Sequence, residues 1–141
     1  MTLPTKKRKK QKSMAKVVNE CAELLQKLVR LKAADSNGYV QCVTCGVKKP
    51  WQEMQGGHFI SRVKTAHKLL EENIHPQCGK CNGYLRGNMV AYTLYMEDMY
   101  GRDFVEELLA TQNQTKKYSR PEIEEIKENL KKELKTRLLC Q

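Results

Sequence analysis

Apolar residues near the N-terminus recur at the spacing of an amphipathic helix. The pattern predicts a helix over 16–33 that ends before the turn residues at 35–38. Residues 39–43 then alternate, which predicts a short strand. The helical stripe comprises Val17, Cys21, Leu24, Leu25, Leu28 and Val29. Because Cys21 lies within this stripe, we expect it to be a core residue.

The C-terminal third contains three further helical segments. Residues 89–100 should form a helix that ends near Gly101, and Asp103 is the expected N-cap of the next helix. Farther on, the spacing of Ser119 and Glu122 predicts a capping box that opens the last helix. Its narrow apolar stripe suits packing on the domain or on a partner helix. The stripe comprises Ile123, Ile126, Leu130, Leu134 and Leu138.

The segment between these helices has a different composition, with all three histidines and four of the six cysteines. Its cysteines form two Cys-x-x-Cys pairs, Cys42 with Cys45 and Cys78 with Cys81. Two such pairs can supply the four sulfur ligands of a closed, structural Zn²⁺ site. Four unrelated core cysteines, or a redox pair, would require two independent coincidences of spacing. We therefore expect a structural zinc.

The chain carries a large surplus of positive charge, with 26 Lys and Arg against 16 Asp and Glu and a formal net charge of +10. Such a surplus attracts polyanions, of which the phosphate backbone of nucleic acid is the commonest. With 30% charged residues and no apolar run of about 20 residues, the sequence argues against a membrane protein.

The cations are densest at the N-terminus, where we expect a basic disordered arm over residues 1–14. It is either a solubilising tail or an electrostatic anchor for DNA. Its cations include Lys6, Lys7, Arg8, Lys9 and Lys10.

Three polar residues stand in a fixed order between and beside the cysteine pairs: His58, Asn73 and Asn82. This arrangement resembles the HNH, or ββα-metal, nuclease motif in its His-Asn-Asn form. The sequences Gly-Gly-His-Phe-Ile-Ser-Arg at 56–62 and Asn-Ile-His-Pro-Gln-Cys-Gly-Lys-Cys-Asn at 73–82, followed by Gly-Asn at 87–88, are more specific. They resemble the NinG/Rap recombination proteins of lambdoid phages.

The resemblance, which covers roughly residues 10–110, implies an α+β fold with a zinc-stabilised, treble-clef-like ββα-metal core and flanking helices. The HNH-like nuclease domain would span 15–110, and 111–141 would hold a linker and the C-terminal amphipathic helix. The implied activity is metal-dependent, structure-directed endonucleolytic cleavage of branched recombination intermediates such as Holliday junctions and D-loops. The implied location is the cytoplasm, that of the host cell if the chain is phage-encoded.

The resemblance also implies a role for each polar residue. His58 would be the base that activates water, Asn73 would brace the loop that orients it, and Asn82 would be an oxygen ligand of Mg²⁺ or Mn²⁺ on the first turn of a helix that begins inside the second cysteine pair. Most HNH sites carry Asp or His directly before the catalytic histidine, whereas this chain has Gly57.

The ligand that replaces position 57 is open from the sequence. His75 is the first choice, and His58 itself, Glu53 or Asn88 are alternatives. We assign no role to His67.

Positive residues around this segment are candidates for contacts with the DNA backbone. They are Arg62, Lys64, Lys68, Lys80 and Arg86.

The alternative function is a zinc-ribbon DNA-binding adaptor that does not catalyse, and the missing ligand at position 57 is its best support. The spacing of His58, Asn73 and Asn82, which resembles that of the HNH nuclease motif, favours the endonuclease over the adaptor. The sequence leaves a homodimer open.

Overall fold

The computed structural model describes residues 2–140 and has the mixed α+β composition that the family resemblance implies. Met1 and Gln141, the ends of the predicted arm and of the C-terminal region, lie outside the described residues. The helices are α1 (Met14–Ala33), α2 (Met89–Tyr100), α3 (Arg102–Thr111) and α4 (Arg120–Leu139), and the strands are β1 (Tyr39–Gln41), β2 (Lys48–Pro50), β3 (Gln55–His58) and β4 (Ile74–Gln77). Residues 2–12 are exposed and have no regular secondary structure. No helix within 2–140 has the length and apolar character needed to cross a membrane.

Helices α1 and α4 pack against each other. The predicted capping box opens α4: the Ser119 hydroxyl accepts from the Glu122 amide at 3.2 Å, and the Glu122 carboxylate accepts from the Ser119 amide at 3.3 Å. Cys21 is fully buried, as expected, with its Sγ 3.8 Å from the Ile123 carbonyl oxygen. Helix α4 therefore packs on its own domain.

The strands form two separate antiparallel pairs, β1 with β2 and β3 with β4. The first cysteine pair lies in the turn between β1 and β2, and the second follows β4 directly. In the β3–β4 pair, His58 faces Ile74 across the strands. Isolated two-stranded sheets are marginally stable in water, so these short pairs depend on what packs against them.

The helix expected to begin inside the second cysteine pair is present only as one π-helical turn, Lys80–Tyr84. Helix α2 begins later, at Met89, after a turn in which Arg86 and Asn88 adopt the left-handed conformation. A helical turn therefore does begin inside the second cysteine pair and carries Asn82, as predicted, but it ends at Tyr84 and does not continue into α2.

The boundary between α2 and α3 also differs from the expectation. Gly101, with φ 88°, ends α2 and precedes α3, and Asp103 lies inside the first turn of α3. The prediction of Asp103 as the N-cap was wrong by two positions. Glycine adopts this positive φ without the steric cost that other residues carry, so the chain reverses there.

Three apolar clusters share the interior, and none of them is large. The first joins α1 to the hairpins and includes Cys42, Cys78 and Cys81. The second joins Phe59 and Ile60 to α2 and α3, and the third lies between α1 and α4. A core divided in this way leaves a substantial part of the stability to other interactions.

Close contact between α1 and β3 depends on Gly56. A Cβ atom at this position would lie 2.3 Å from Gln26 Cβ and 3.0 Å from Gln26 Cα. Because the helix backbone must move, we expect Gly56→Ala to lower the free energy of unfolding by about 1–3 kcal/mol. Gly83→Ala is the matched control, since nothing lies within 4 Å of a Cβ there. Urea denaturation followed by circular dichroism measures both variants, and equal stabilities would contradict the close contact.

Candidate functional site

The four paired cysteines meet in one cluster. Their Sγ atoms all lie within 4.8 Å of one another, and those of Cys45 and Cys78 are 3.7 Å apart. Two sulfurs at about 2.3 Å from a tetrahedral zinc ion would be about 3.8 Å apart. The cluster offers four sulfur donors, so it has the donor set and the spacing of a closed structural zinc site. The predicted grouping of the two pairs is confirmed.

Electrostatics around the cluster favour a bound cation. Burial raises the pKa of Cys42, but hydrogen bonds from the Thr44 hydroxyl and from nearby backbone amides lower it more, to about 6. The Val47 amide lowers the pKa of Cys45, but burial and the neighbouring sulfurs raise it to about 12. Thiols this close oppose one another's ionisation, and a dication removes that opposition.

His58, the last residue of β3, has one ring nitrogen engaged and one available. Its Nε2 lies 3.1 Å from the carbonyl oxygen of Lys68. Because a carbonyl only accepts hydrogen bonds, Nε2 carries the proton and Nδ1 is the basic nitrogen of the neutral ring. Burial lowers the pKa of His58 below 6.5; the Lys68 carbonyl opposes this shift, and the charges of Arg62 and Lys68 add to it. The ring is therefore neutral at pH 7.

Asn73 holds the loop that carries this carbonyl group. Its Oδ1 accepts from the Ile60 amide at 2.7 Å, and its Nδ2 donates to the carbonyls of Ile60 at 3.0 Å and His67 at 3.1 Å. Asn73 is fully buried. The loop-bracing contacts expected of Asn73 are present, and they fix the loop that orients His58.

His58 and Asn82 line one cavity of about 560 Å³ between α1, β3 and the turn before α2. The Asn82 Nδ2 donates to Gln55 Oε1 at 2.7 Å, which leaves Asn82 Oδ1 to coordinate a cation or to accept a hydrogen bond. Arg62 and Arg86 also line the cavity, and no carboxylate of residues 2–140 does. The remaining lining residues are Gln26, Gln55, Gly56, Phe59, Ser61, Gly87 and Met89.

Position 57 faces away from this cavity, because adjacent strand residues point to opposite faces. A Cβ at Gly57 would lie 1.9 Å from Gln77 Oε1, inside the space that this fully buried glutamine fills. The Gln77 Nε2 donates to Thr44 Oγ1 at 3.1 Å and to the Gly87 carbonyl at 2.8 Å. A ligand at position 57 would therefore not point into the His58 cavity in this fold.

His75, predicted as a cation ligand, has both ring nitrogens occupied. Tyr92 donates to the Gly57 carbonyl at 2.7 Å, so its oxygen accepts from His75 Nδ1 at 3.0 Å. His75 Nε2 then accepts from the Tyr100 hydroxyl at 2.8 Å. The residue lines a separate groove. The structure does not bring His75 to Asn82, so the prediction of a shared cation was wrong: the imidazole connects β4 to α2.

The buried His75 should remain uncharged well below neutral pH. Burial lowers its pKa from 6.5 to about 4. In an NMR titration we expect its ring signals to stay those of neutral imidazole from pH 8 to pH 5. Since the unfolded chain takes up this proton first, falling pH between 6.5 and 4 destabilises the fold through His75. A midpoint near 6.5 would contradict the assigned hydrogen bonds.

Neither Glu53 nor Asn88, the other proposed cation ligands, lines the cavity. Glu53 is exposed in a short turn outside the cavity lining. The Asn88 side-chain amide lies 3.6 Å from Cys81 Sγ, so Asn88 supports the cysteine cluster.

The predicted DNA contacts fall into separate groups. Arg62 and Arg86 lie at the cavity, and Lys80 is exposed on the adjacent π-helical turn. The Lys64 ammonium instead donates to side-chain oxygens of Gln112 at 2.9 Å and Asn113 at 2.8 Å. Lys64 is therefore engaged with the end of α3 and does not line the cavity. Lys68 donates to Asn19, and Lys6 to Lys10 are exposed in the N-terminal segment.

Sequence reasoning missed three residues that contact and position the predicted site residues. Gln55 orients Asn82, Gln77 fills the space beside Gly57, and Tyr92 connects His75 to β3. Glutamine and tyrosine carry no distinctive spacing, and their partners are distant in sequence. No sequence signal could have identified them.

Comparisons with known proteins extend over almost the whole chain. The family model described as "Bacteriophage Lambda NinG protein" matches residues 3–138. Protein ninG of Escherichia phage lambda is 29% identical over 72 residues, 51% of this chain and 35% of that protein. Protein ninG of Escherichia phage 933W is 29% identical over 72 residues, 51% of this chain and 36% of that protein.

Protein ninG of Salmonella phage P22 is 27% identical over 94 residues, 67% of this chain and 46% of that protein. The matches thus span less than half the length of these relatives. No solved structure matches the chain. Since the family model covers far more than half of the residues, the chain belongs to the bacteriophage lambda NinG protein family.

Proposed function

We propose that this protein is a metal-dependent, structure-directed DNA endonuclease that acts on branched recombination intermediates such as Holliday junctions and D-loops. The observation that carries the proposal is the hydrogen bond of His58 Nε2 to the Lys68 carbonyl at 3.1 Å. It leaves Nδ1 as an unprotonated base beside a cavity that contains two arginines and no carboxylate of residues 2–140.

In the proposed reaction, His58 Nδ1 takes a proton from the water that attacks the phosphodiester. Asn73 keeps the ring in place through the loop it braces. Arg62 and Arg86 hold the phosphate backbone against the cavity. The site therefore combines a neutral base with positive groups that attract the substrate.

The divalent cation, Mg²⁺ or Mn²⁺, would be held by Asn82 Oδ1 together with phosphate oxygens of the DNA. When bound, it would stabilise the charge that develops on the phosphate and on the leaving 3′ oxygen. Magnesium sites in proteins commonly combine one or two carboxylates with substrate phosphates. The cavity offers neutral oxygens, including Asn82 Oδ1, but no carboxylate of the described chain, so phosphate oxygens of the DNA would supply the negatively charged ligands.

A structural Zn²⁺ held by Cys42, Cys45, Cys78 and Cys81 would fix the position of both halves of this site. The β3–β4 hairpin carries His58, and the turn that follows the second cysteine pair carries Asn82. This order of hairpin, cysteine pair and helical turn supports a treble-clef-like, HNH-type ββα-metal core. The arrangement departs from a regular ββα unit because only one turn follows the cysteines.

DNA cleavage is the test that separates the enzyme from a non-catalytic adaptor. A labelled four-way junction and a linear duplex of the same sequence are incubated with the zinc-loaded protein, with Mg²⁺, with Mn²⁺ or without either. We expect cleavage of the junction that depends on the added cation. The absence of a carboxylate ligand in the cavity favours the adaptor, which would bind both substrates and cut neither in any condition.

A further inference from the structure

An exposed apolar ridge adjoins the proposed catalytic cavity. We define the ridge as Tyr84, Leu85, Met89 and Val90, whose exposed fractions are 83%, 41%, 41% and 80%. Tyr84 ends the π-helical turn that carries Asn82, and Met89 itself lines the cavity. The ridge therefore lies where a substrate of the cavity would extend beyond the reacting phosphate.

The ridge is held firmly by the second cysteine pair. The Leu85 amide donates to the Lys80 carbonyl at 2.8 Å, and the Gly87 amide donates to the Cys81 carbonyl at 2.8 Å. Arg86 and Asn88 keep the left-handed conformation, with φ 51° and 48°. Backbone conformations this uncommon for residues other than glycine persist where the surrounding structure fixes them. The exposed tyrosine thus projects from a rigid turn.

The charge around the ridge identifies the class of partner. Arg62, Lys80 and Arg86 flank it, and within residues 2–140 none of them pairs with a carboxylate. Residues 73–96, which include the whole ridge, contain no Asp or Glu. Aromatic and aliphatic side chains between unpaired cations suit a polyanion that also offers exposed aromatic faces. Nucleic acid with unstacked bases has this chemistry.

We propose that the ridge contacts unstacked bases at a DNA branch point, with the Tyr84 ring stacked on a base. This inference rests on the proposed function and specifies its substrate. In a linear duplex the bases are covered by their neighbours, whereas unpaired or strained bases at a branch cost less to unstack. Apolar side chains that enter opened base steps are a known means of binding distorted DNA. The ridge would thereby distinguish branched from linear DNA.

The test compares Tyr84→Ala, Tyr84→Phe and Tyr39→Ala by fluorescence anisotropy, with a four-way junction and a linear duplex and without added Mg²⁺ or Mn²⁺. Tyr39 is the matched control, because it is 46% exposed and lies in a different groove. We expect Tyr84→Ala to lose roughly fivefold to a hundredfold in junction affinity. Its duplex affinity should not change, and Tyr84→Phe and Tyr39→Ala should behave like wild type.

Two outcomes would overturn the ridge proposal. One is an unchanged junction affinity for Tyr84→Ala. The other is a change of oligomeric state in sedimentation without loss of junction preference, which would make the ridge a contact between two copies of the chain. Failure of the nuclease proposal is distinguishable: a wild type that cuts no substrate, with junction preference still dependent on Tyr84, would leave the ridge as a binding surface.

Discussion

His58→Ala is expected to lower the rate of junction cleavage by about a hundredfold or more, the usual consequence of losing a general base. Folding, zinc content and junction binding should remain near wild type, because Asn73 still braces the loop and the phosphate-binding arginines are untouched. Single-turnover cleavage, metal analysis and anisotropy measure these properties separately. This variant should therefore bind the junction like the wild type but cleave it much more slowly.

His67→Ala is the matched control for this substitution. The His67 Nε2 lies 2.8 Å from the Thr111 hydroxyl, outside the cavity, so its loss should leave the cleavage rate close to wild type. In the wild type, the rate should fall as the pH drops through the pKa of His58, which burial holds below the usual histidine value, because a protonated His58 cannot accept a proton. A wild-type rate in His58→Ala would remove the basis of the enzyme proposal.

Removal of zinc is expected to abolish cooperative unfolding altogether. Zinc held by four cysteines can contribute about 10 kcal/mol or more to folding, which exceeds what a small divided core can replace. Three of the four cysteines are themselves part of the largest apolar cluster, so loss of the metal also disturbs packing. Metal analysis should find about one zinc per chain, and chelation should be followed by loss of the sharp thermal transition.

Cys81→Ser and Cys140→Ser separate the zinc site from cysteine content in general. Cys81 is fully buried in the cluster, whereas Cys140 is exposed after the end of α4. We expect Cys81→Ser to lose zinc and the transition, and Cys140→Ser to keep both. A cooperative transition of unchanged midpoint in zinc-free protein would show that this view of the stability is wrong.

Patterns that depend on near neighbours in sequence were predictable. The stripe of α1, the burial of Cys21 and the capping box at Ser119 follow from helical spacing and local hydrogen bonds. The cysteine cluster was also predictable, because a Cys-x-x-Cys turn brings two sulfurs together by itself. Two such turns are then expected to meet, because together they supply the four sulfur ligands of a structural zinc site.

Contacts between distant side chains were not predictable. His75 stands next to the second cysteine pair in sequence, yet its ring hydrogen-bonds to two tyrosines of α2. The vacancy at position 57 suggested a lost ligand, but the buried side chain of Gln77 fills that space. The prediction of His75 as a cation ligand and the search for a ligand to replace position 57 both relied on proximity in sequence. Such proximity does not specify which face of a short strand a side chain occupies.

Cleavage in H₂¹⁸O tests the central claim most directly. A purified, zinc-loaded protein is incubated with a labelled four-way junction and Mg²⁺ or Mn²⁺ in a single turnover, and the DNA ends are analysed by mass spectrometry. If His58 activates water for attack with a leaving 3′ oxygen, each cut should yield a 3′-hydroxyl and a 5′-phosphate that carries one ¹⁸O. His58→Ala should form this product at least about a hundredfold more slowly. No product with any divalent cation, or a phosphate without ¹⁸O, would contradict the account.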